Sequence, residues 1–197
     1  MILPVVAYGH PVLKKKASEI NDDYENLTDL ISNMFETMYN ASGVGLAAPQ
    51  IGISIRLFIV DTAPFAEDDD LDEVEKKKLK SFKRVFVNPT IISENGEDWG
   101  FDEGCLSIPF IRENIQRKSI LKIKYFDENF NEHINTFSGL LARVIQHEYD
   151  HIEGVLFTDK LSSFKKRLIN KKLQKISSGK VSPDYLMNFY KSPKKIN

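Results

Sequence analysis

The strongest constraint in this 197-residue chain is a pair of histidines four residues apart, His147 and His151, with Glu148 directly after the first. Residues spaced by four share one face of an α-helix about a turn apart, so both imidazoles can reach a single metal ion. The glutamate beside the first histidine is then placed to take a proton from water on that ion. Two imidazoles leave a four-coordinate ion short of one protein ligand and with one open position. The fold must therefore bring a third ligand to this helix from elsewhere in the chain.

Residues after His151 supply that ligand poorly. A metzincin-type site would continue with a glycine and a third histidine; Gly154 has the right offset, but Phe157 stands where the histidine should be. Glu153 is two residues past His151, roughly 200° around the helix, and no glutamate follows it. Asp159 and Asp184 stay open as alternatives. Upstream, Cys105 is the chain's one cysteine, set in Asp102-Glu103-Gly104-Cys105-Leu106-Ser107-Ile108-Pro109. Gly104 and Pro109 bracket a short extended or turning segment. A lone cysteine is ordinarily a small buried hydrophobe. Beside a metal pair that lacks a ligand, Cys105 reads instead as a thiolate completing a Cys-His-His set, with a coordination position left for water.

Glu103-Gly104-Cys105-Leu106-Ser107 and Gln146-His147-Glu148-Tyr149-Asp150-His151 resemble two of the three signature motifs of peptide deformylases. Gly43-Val44-Gly45-Leu46-Ala47-Ala48-Pro49-Gln50 resembles the third. All three occur in the family's order, with flanking similarity over about residues 2–175, and Ile152 replaces the leucine usual in the family. The resemblance implies a metal-dependent hydrolase that removes the N-formyl group from the initiator methionine of nascent polypeptides and releases formate. Glu148 would then be the catalytic base and return its proton to the leaving amine. The Gln50 side-chain amide and the Leu106 backbone N–H would donate to the tetrahedral oxyanion.

The same resemblance implies that backbone at Gly45 pairs with the extended substrate like an added β-strand. It also implies that Phe101 and Val44 line the methionine pocket and that Arg112 stands near the cleft. It favours Fe2+ as the one divalent ion, whereas the ligand set alone leaves Zn2+, Ni2+ and Co2+ open. From helix geometry, Leu140 and Val144 share the face of His147. They either wall an apolar pocket suited to a flexible thioether or pack into the core. Glu103 is placed to accept a hydrogen bond from a ligand histidine, or else to remain a surface carboxylate. Asp150 is placed to pair with an arginine, or else to serve a purely structural role.

A chain of this length suits one domain, expected over residues 1–197. With 42% apolar and 28% charged residues it does not read as disordered. It has no run of 18 apolar residues, so no membrane-spanning helix is expected. The first ten residues lack the basic-then-apolar pattern of a secretory signal. A single cysteine suits a reducing compartment, so the expected location is cytoplasmic. Charge is uneven: residues 160–197 hold 11 Lys and Arg against one acidic residue, a balance of +10, and the remainder carries −11. Such an end is either a solvated basic face or a contact for an anionic partner; the resemblance makes that partner the ribosome.

Periodicity predicts a helix over 24–39 capped by Asn21 or Asp22, with Leu27, Leu30, Ile31, Met34, Phe35 and Met38 as its buried stripe. A buried strand is expected over 55–61, and a charged surface insertion over 67–80, acidic first and basic last. Residues 85–93 read as a strand broken or edged by Pro89, and 120–126 with 133–137 as a hairpin. The metal helix is expected over 137–153, capped by Ser138 and stopped by Gly154. A basic amphipathic helix over 161–176 precedes a weakly ordered extension over 177–197. His10 and His133 read as ordinary histidines. These elements, with the resemblance, give an α+β fold: mixed or antiparallel β-sheets around a central helix carrying the metal pair. A C-terminal helix follows, like that of the family's Gram-negative branch.

Two rival readings make separate predictions. A zinc-dependent peptidase would use an aspartate ligand, or another one not recognised in the sequence, and keep its metal after Cys105→Ala. A structural metal domain with an RNA-binding tail would have a closed four-ligand site and would lose only stability with Glu148→Ala. Three convincing ligands beside a candidate base argue against the second.

Overall fold

Leu57, Phe58, Ile59 and Val60 form an unbroken buried run. Successive side chains of a strand point to opposite faces, and here both faces are covered. Leu57 and Ile59 pack with Leu27, Ile31, Met34, Phe35 and Met38. Phe58 and Val60 pack with Ala142, Val144, Ile145 and Ile152. The structure, a computed structural model, describes residues 1–190.

In chain order these residues form β1 (Val5–Val6), α1 (Leu27–Asn40), β2 (Gly45–Ala47), β3 (Leu57–Asp61), α2 (Glu73–Lys80) and β4 (Lys83–Cys105). There follow β5 (Ile108–Phe126), β6 (Glu132–Ser138), α3 (Gly139–Ile152), α4 (Ser163–Ser177) and β7 (Met187–Asn188). Strands β2 to β6 make one antiparallel sheet in sequence order, and β1 pairs with β7 in parallel. The fold is the expected α+β, with α1 and α3 on opposite faces of β3. Among the described residues no helix is long and apolar enough to cross a membrane.

Several boundaries differ from expectation. Helix α1 starts at Leu27, the first residue of its buried stripe, rather than at 24. Asn26 precedes it at φ 58 without a side-chain cap, and Tyr24 N–H donates to Asn21 O in a turn instead. Ser138 does occupy the N-cap position of α3 but makes no capping hydrogen bond. Pro89 interrupts β4 as expected: the register against β5 slips between Val87 and Thr90, where proline cannot donate to the ladder. The strand nevertheless runs on to Cys105, because β5 pairs with it along that whole length.

The extension expected to be weakly ordered folds back over the molecule as far as residue 190. Val181, Met187 and Phe189 pack against the cluster of Leu13, Phe157, Ile169, Leu173 and Ile176, and β7 joins β1. Every second residue from 181 to 189 is half-buried, the period of a strand with one covered face. The last part of that expectation, 191–197, lies outside the described residues.

Candidate metal centre

Helix α3 buries Leu141, Ala142, Val144, Ile145 and Ile152, and this packing holds His147, Glu148 and His151 in place. It stops at Gly154, whose φ of +74 suits glycine and where a Cβ would meet the Lys14 backbone at 2.8 Å. Cys105 arrives from the far end of β4, paired with Ile108 across the turn Leu106-Ser107. Its Sγ lies 3.3 Å from His151 Nε2. One ligand atom each from Cys105, His147 and His151 lies within 4.8 Å of the others. Sulfur and nitrogen ligands around one tetrahedral ion stand about 3.5 Å apart, so this spacing fits a single ion.

The surrounding groups prepare the donors. His147 Nδ1–H donates to Glu103 Oε2 at 2.9 Å, a bond that leaves Nε2 for an ion. Burial holds His151 well below the usual histidine range, so its imidazole is neutral. Glu148 Oε2 and His151 Nδ1 are buried without a protein partner among the described residues, whereas buried polar atoms are nearly always satisfied. The two aspartates left open by sequence do not join the cluster. Asp159 accepts from Leu156 N–H and pairs with Lys14, and Asp184 is exposed at the cleft.

Glu103 is the hub behind the candidate ligands. Arg117 Nε and Nη2 bind its two oxygens at 2.6 and 2.9 Å, and Arg143 Nη1 binds Oε1 at 2.9 Å. Arg117 also reaches Asp150 at 2.7 Å, and Arg143 donates to Trp99 O and Ile115 O. Two carboxylates thus balance two guanidinium groups in the interior. Burial alone would raise the Glu103 pKa, but hydrogen bonds from Arg117 and His147 outweigh it and keep the carboxyl ionised. Arginine pairing for Asp150 and histidine contact for Glu103 were both legible from sequence; Arg117 and Arg143 themselves were not identified. Arg143 had a signal, since it lies four residues before His147 on an otherwise apolar stretch of helix.

A cleft of about 690 Å³ opens beside this centre. Val44, Gly45, Gln50, Phe101, Leu106, Arg112 and Val144 all line it, together with His147 and Glu148. Leu140 does not: it is half-buried, a turn beyond Val144, and off the cleft wall. Burial pushes the Glu148 carboxyl up to about 7. Gln50 Oε1 accepts from Ala47 N–H at 2.8 Å, which turns its Nε2 toward Cys105 Sγ at 3.5 Å. Phe65, Phe110, Pro183 and Tyr185 also line the cleft and carried no recognisable signal in the sequence. His10 and His133 are ordinary, as expected: His10 Nδ1 accepts from Val12 N–H, and His133 contacts Asp127.

A family model described as Polypeptide deformylase matches residues 2–167. The chain is 62% identical over 189 residues to a peptide deformylase of Christiangramia forsetii, covering 96% of both chains. It is 58% identical over 195 residues to one of Flavobacterium psychrophilum, covering 99% of this chain and all of the other. Among solved structures, a peptide deformylase from Legionella pneumophila superposes with a TM-score of 0.75 at 37% identity, over 91% of this chain and 98% of that one.

Proposed function

The chain belongs to the polypeptide deformylase family, metal-dependent hydrolases that remove the N-formyl group from the N-terminal methionine of new proteins, and from that premise we propose how its own residues divide the work. Cys105, His147 and His151 hold one divalent ion. When bound, that ion supplies Lewis acidity and lowers the pKa of water. Glu148, buried against the ligands, takes the proton from the attacking water and delivers it to the leaving amine. Gln50 Nε2 and Leu106 N–H donate to the oxyanion. Backbone at Gly45 pairs with the extended substrate, Val44, Phe101 and Val144 receive the methionine side chain, and Arg112 stands at the mouth of the cleft.

The observation that carries this reading is the convergence of three ligand groups with one buried carboxylate on the wall of a single cleft. We further propose Fe2+ as the ion, because a mixed thiolate and imidazole set suits it and the family resemblance favours it. A thiolate ligand needs reducing surroundings, which supports a cytoplasmic location. All of this is assigned to one catalytic domain spanning residues 1–197.

The test is formate release from a formyl-methionine tripeptide by protein purified without oxygen, with bound metal quantified. Wild type is expected to release formate, carry close to one iron per chain and lose activity in air. Glu148→Ala should keep the metal and lose about 10²-fold or more of the rate. Metal-loaded wild type that cleaves unformylated peptides but releases no formate would move the assignment to a peptidase.

A further inference from the structure

The turn that carries Leu106 is braced by both ends of the chain. It consists of Leu106 and Ser107 between the paired residues Cys105 and Ile108. Tyr8 N–H donates to Ser107 O at 2.8 Å, and the Tyr185 hydroxyl donates to Leu106 O at 2.7 Å. The two braces are themselves joined: Val5 N–H donates to Leu186 O and Ala7 N–H to Asn188 O, each at 2.9 Å. Tyr185 also lines the cleft beside Pro183. Burial raises the pKa of its phenol, so the hydroxyl keeps its proton and remains a donor. The family match ends at residue 167, so this contact comes from a part of the chain that the match does not include.

We propose that Tyr185 is a positioning residue for deformylation, acting through the Leu106 carbonyl to hold the Leu106 N–H on the reacting oxygen. The proposal rests on the reading above, in which that N–H stabilises the oxyanion. Among the described residues, the Leu106 N–H donates to no other group of the protein. A peptide unit is planar, so fixing the Leu106 carbonyl fixes the plane between Leu106 and Ser107. The preceding residue, Cys105, is anchored as the last residue of β4. With both sides held, the dihedrals of Leu106 have little freedom and the N–H keeps one direction. Such preorganisation counts in the transition state, where charge reaches the oxygen, and hardly at all in substrate binding.

Tyr185→Phe removes the hydroxyl and keeps the ring. Both proteins are loaded with the same metal without oxygen, and kcat and KM are measured on a formyl-methionine tripeptide, with rates normalised to bound metal. The expected result is a kcat lower by about three- to tenfold, the size of one neutral hydrogen bond, with KM and metal content unchanged and a urea midpoint that leaves the protein fully folded in the assay. A kcat within twofold of wild type overturns the positioning role. So does a loss that disappears on normalising to bound metal or to the folded fraction, since that is a structural effect. Failure of wild type itself to release formate would remove the reaction, and Tyr185's role with it. An active wild type beside an unaffected variant would leave the reaction standing and remove only this proposal.

Discussion

At the scale of single residues, the centre depends on what is absent as much as on what is present. A Cβ on Gly45 would stand 2.8 Å from the carboxyl carbon of Glu148, closer than such atoms approach. Gly45→Ala must therefore displace the carboxylate or the strand. Displacements near 1 Å can cost about 10²-fold in rate, and formate release is expected to fall to that degree while bound metal stays constant. Glu103 acts through charge. Glu103→Ala leaves Arg117 and Arg143 buried without their main partner, a loss of about 3–5 kcal/mol, and frees His147 to turn. Urea denaturation should report that loss, and metal titration an affinity about 10–100-fold weaker. The meeting of Cys105, His147 and His151 was legible because the histidine spacing leaves a ligand position open that the chain's one cysteine can fill. Arg117 and Arg143 were not, because a buried arginine is recognised only by the carboxylate it meets across 14 or 40 residues of chain.

Among the elements, the hairpin β5–β6 has a turn that holds itself together. Asp127 Oδ1 accepts from the N–H groups of Asn129 and Asn131, and Oδ2 accepts from Asn131 Nδ2 and contacts His133 Nε2. Partial burial pushes this carboxyl up, but the contacts, with His133 first, outweigh it and bring the pKa down to about 2. A folded pKa below the unfolded one stabilises above the ordinary carboxylate value near about 4, and that stability is lost as pH falls toward 2. Asp127→Ala should be less stable than wild type at pH 6 by about 1 kcal/mol, reduced by solvent screening. The gap should close between pH 4 and 2 in urea titrations; a gap independent of pH would exclude this account. Helix α3 and the 127–131 turn were readable as local patterns. The start of α1, the length of β4 and the ordering of residues 178–190 were not, since each is set by what the element packs against.

For the whole molecule, charge and packing lie on the same C-terminal segment. Helix α4 turns Ile169, Leu173 and Ile176 inward and exposes Arg167, Lys171 and Lys172. We propose that this basic face meets the ribosome, as charge and family resemblance suggested. Deleting residues 160–197 would remove Leu161, Leu173 and Tyr185 along with the charge, so reversal of Arg167, Lys171 and Lys172 to glutamate is the cleaner test. The reversed protein should keep its formate release on free peptide and lose salt-sensitive co-sedimentation with ribosomes. Unchanged co-sedimentation would remove this face from consideration.

Sequence alone pointed to three candidate ligands and to the helix that presents two of them, because histidines at short spacing share a helix face; motif order, through the family resemblance, gave the reaction and supported the α+β class. Tertiary structure decided whether Cys105 meets a helix 42 residues away in sequence. That meeting depends on a long β4–β5 ladder with four register shifts, and a shift of a single residue turns every side chain to the other face. It also decided the Glu103 network, which forms where the sheet packs on α3, and the Tyr185 brace, which forms where the C-terminal segment pairs with β1.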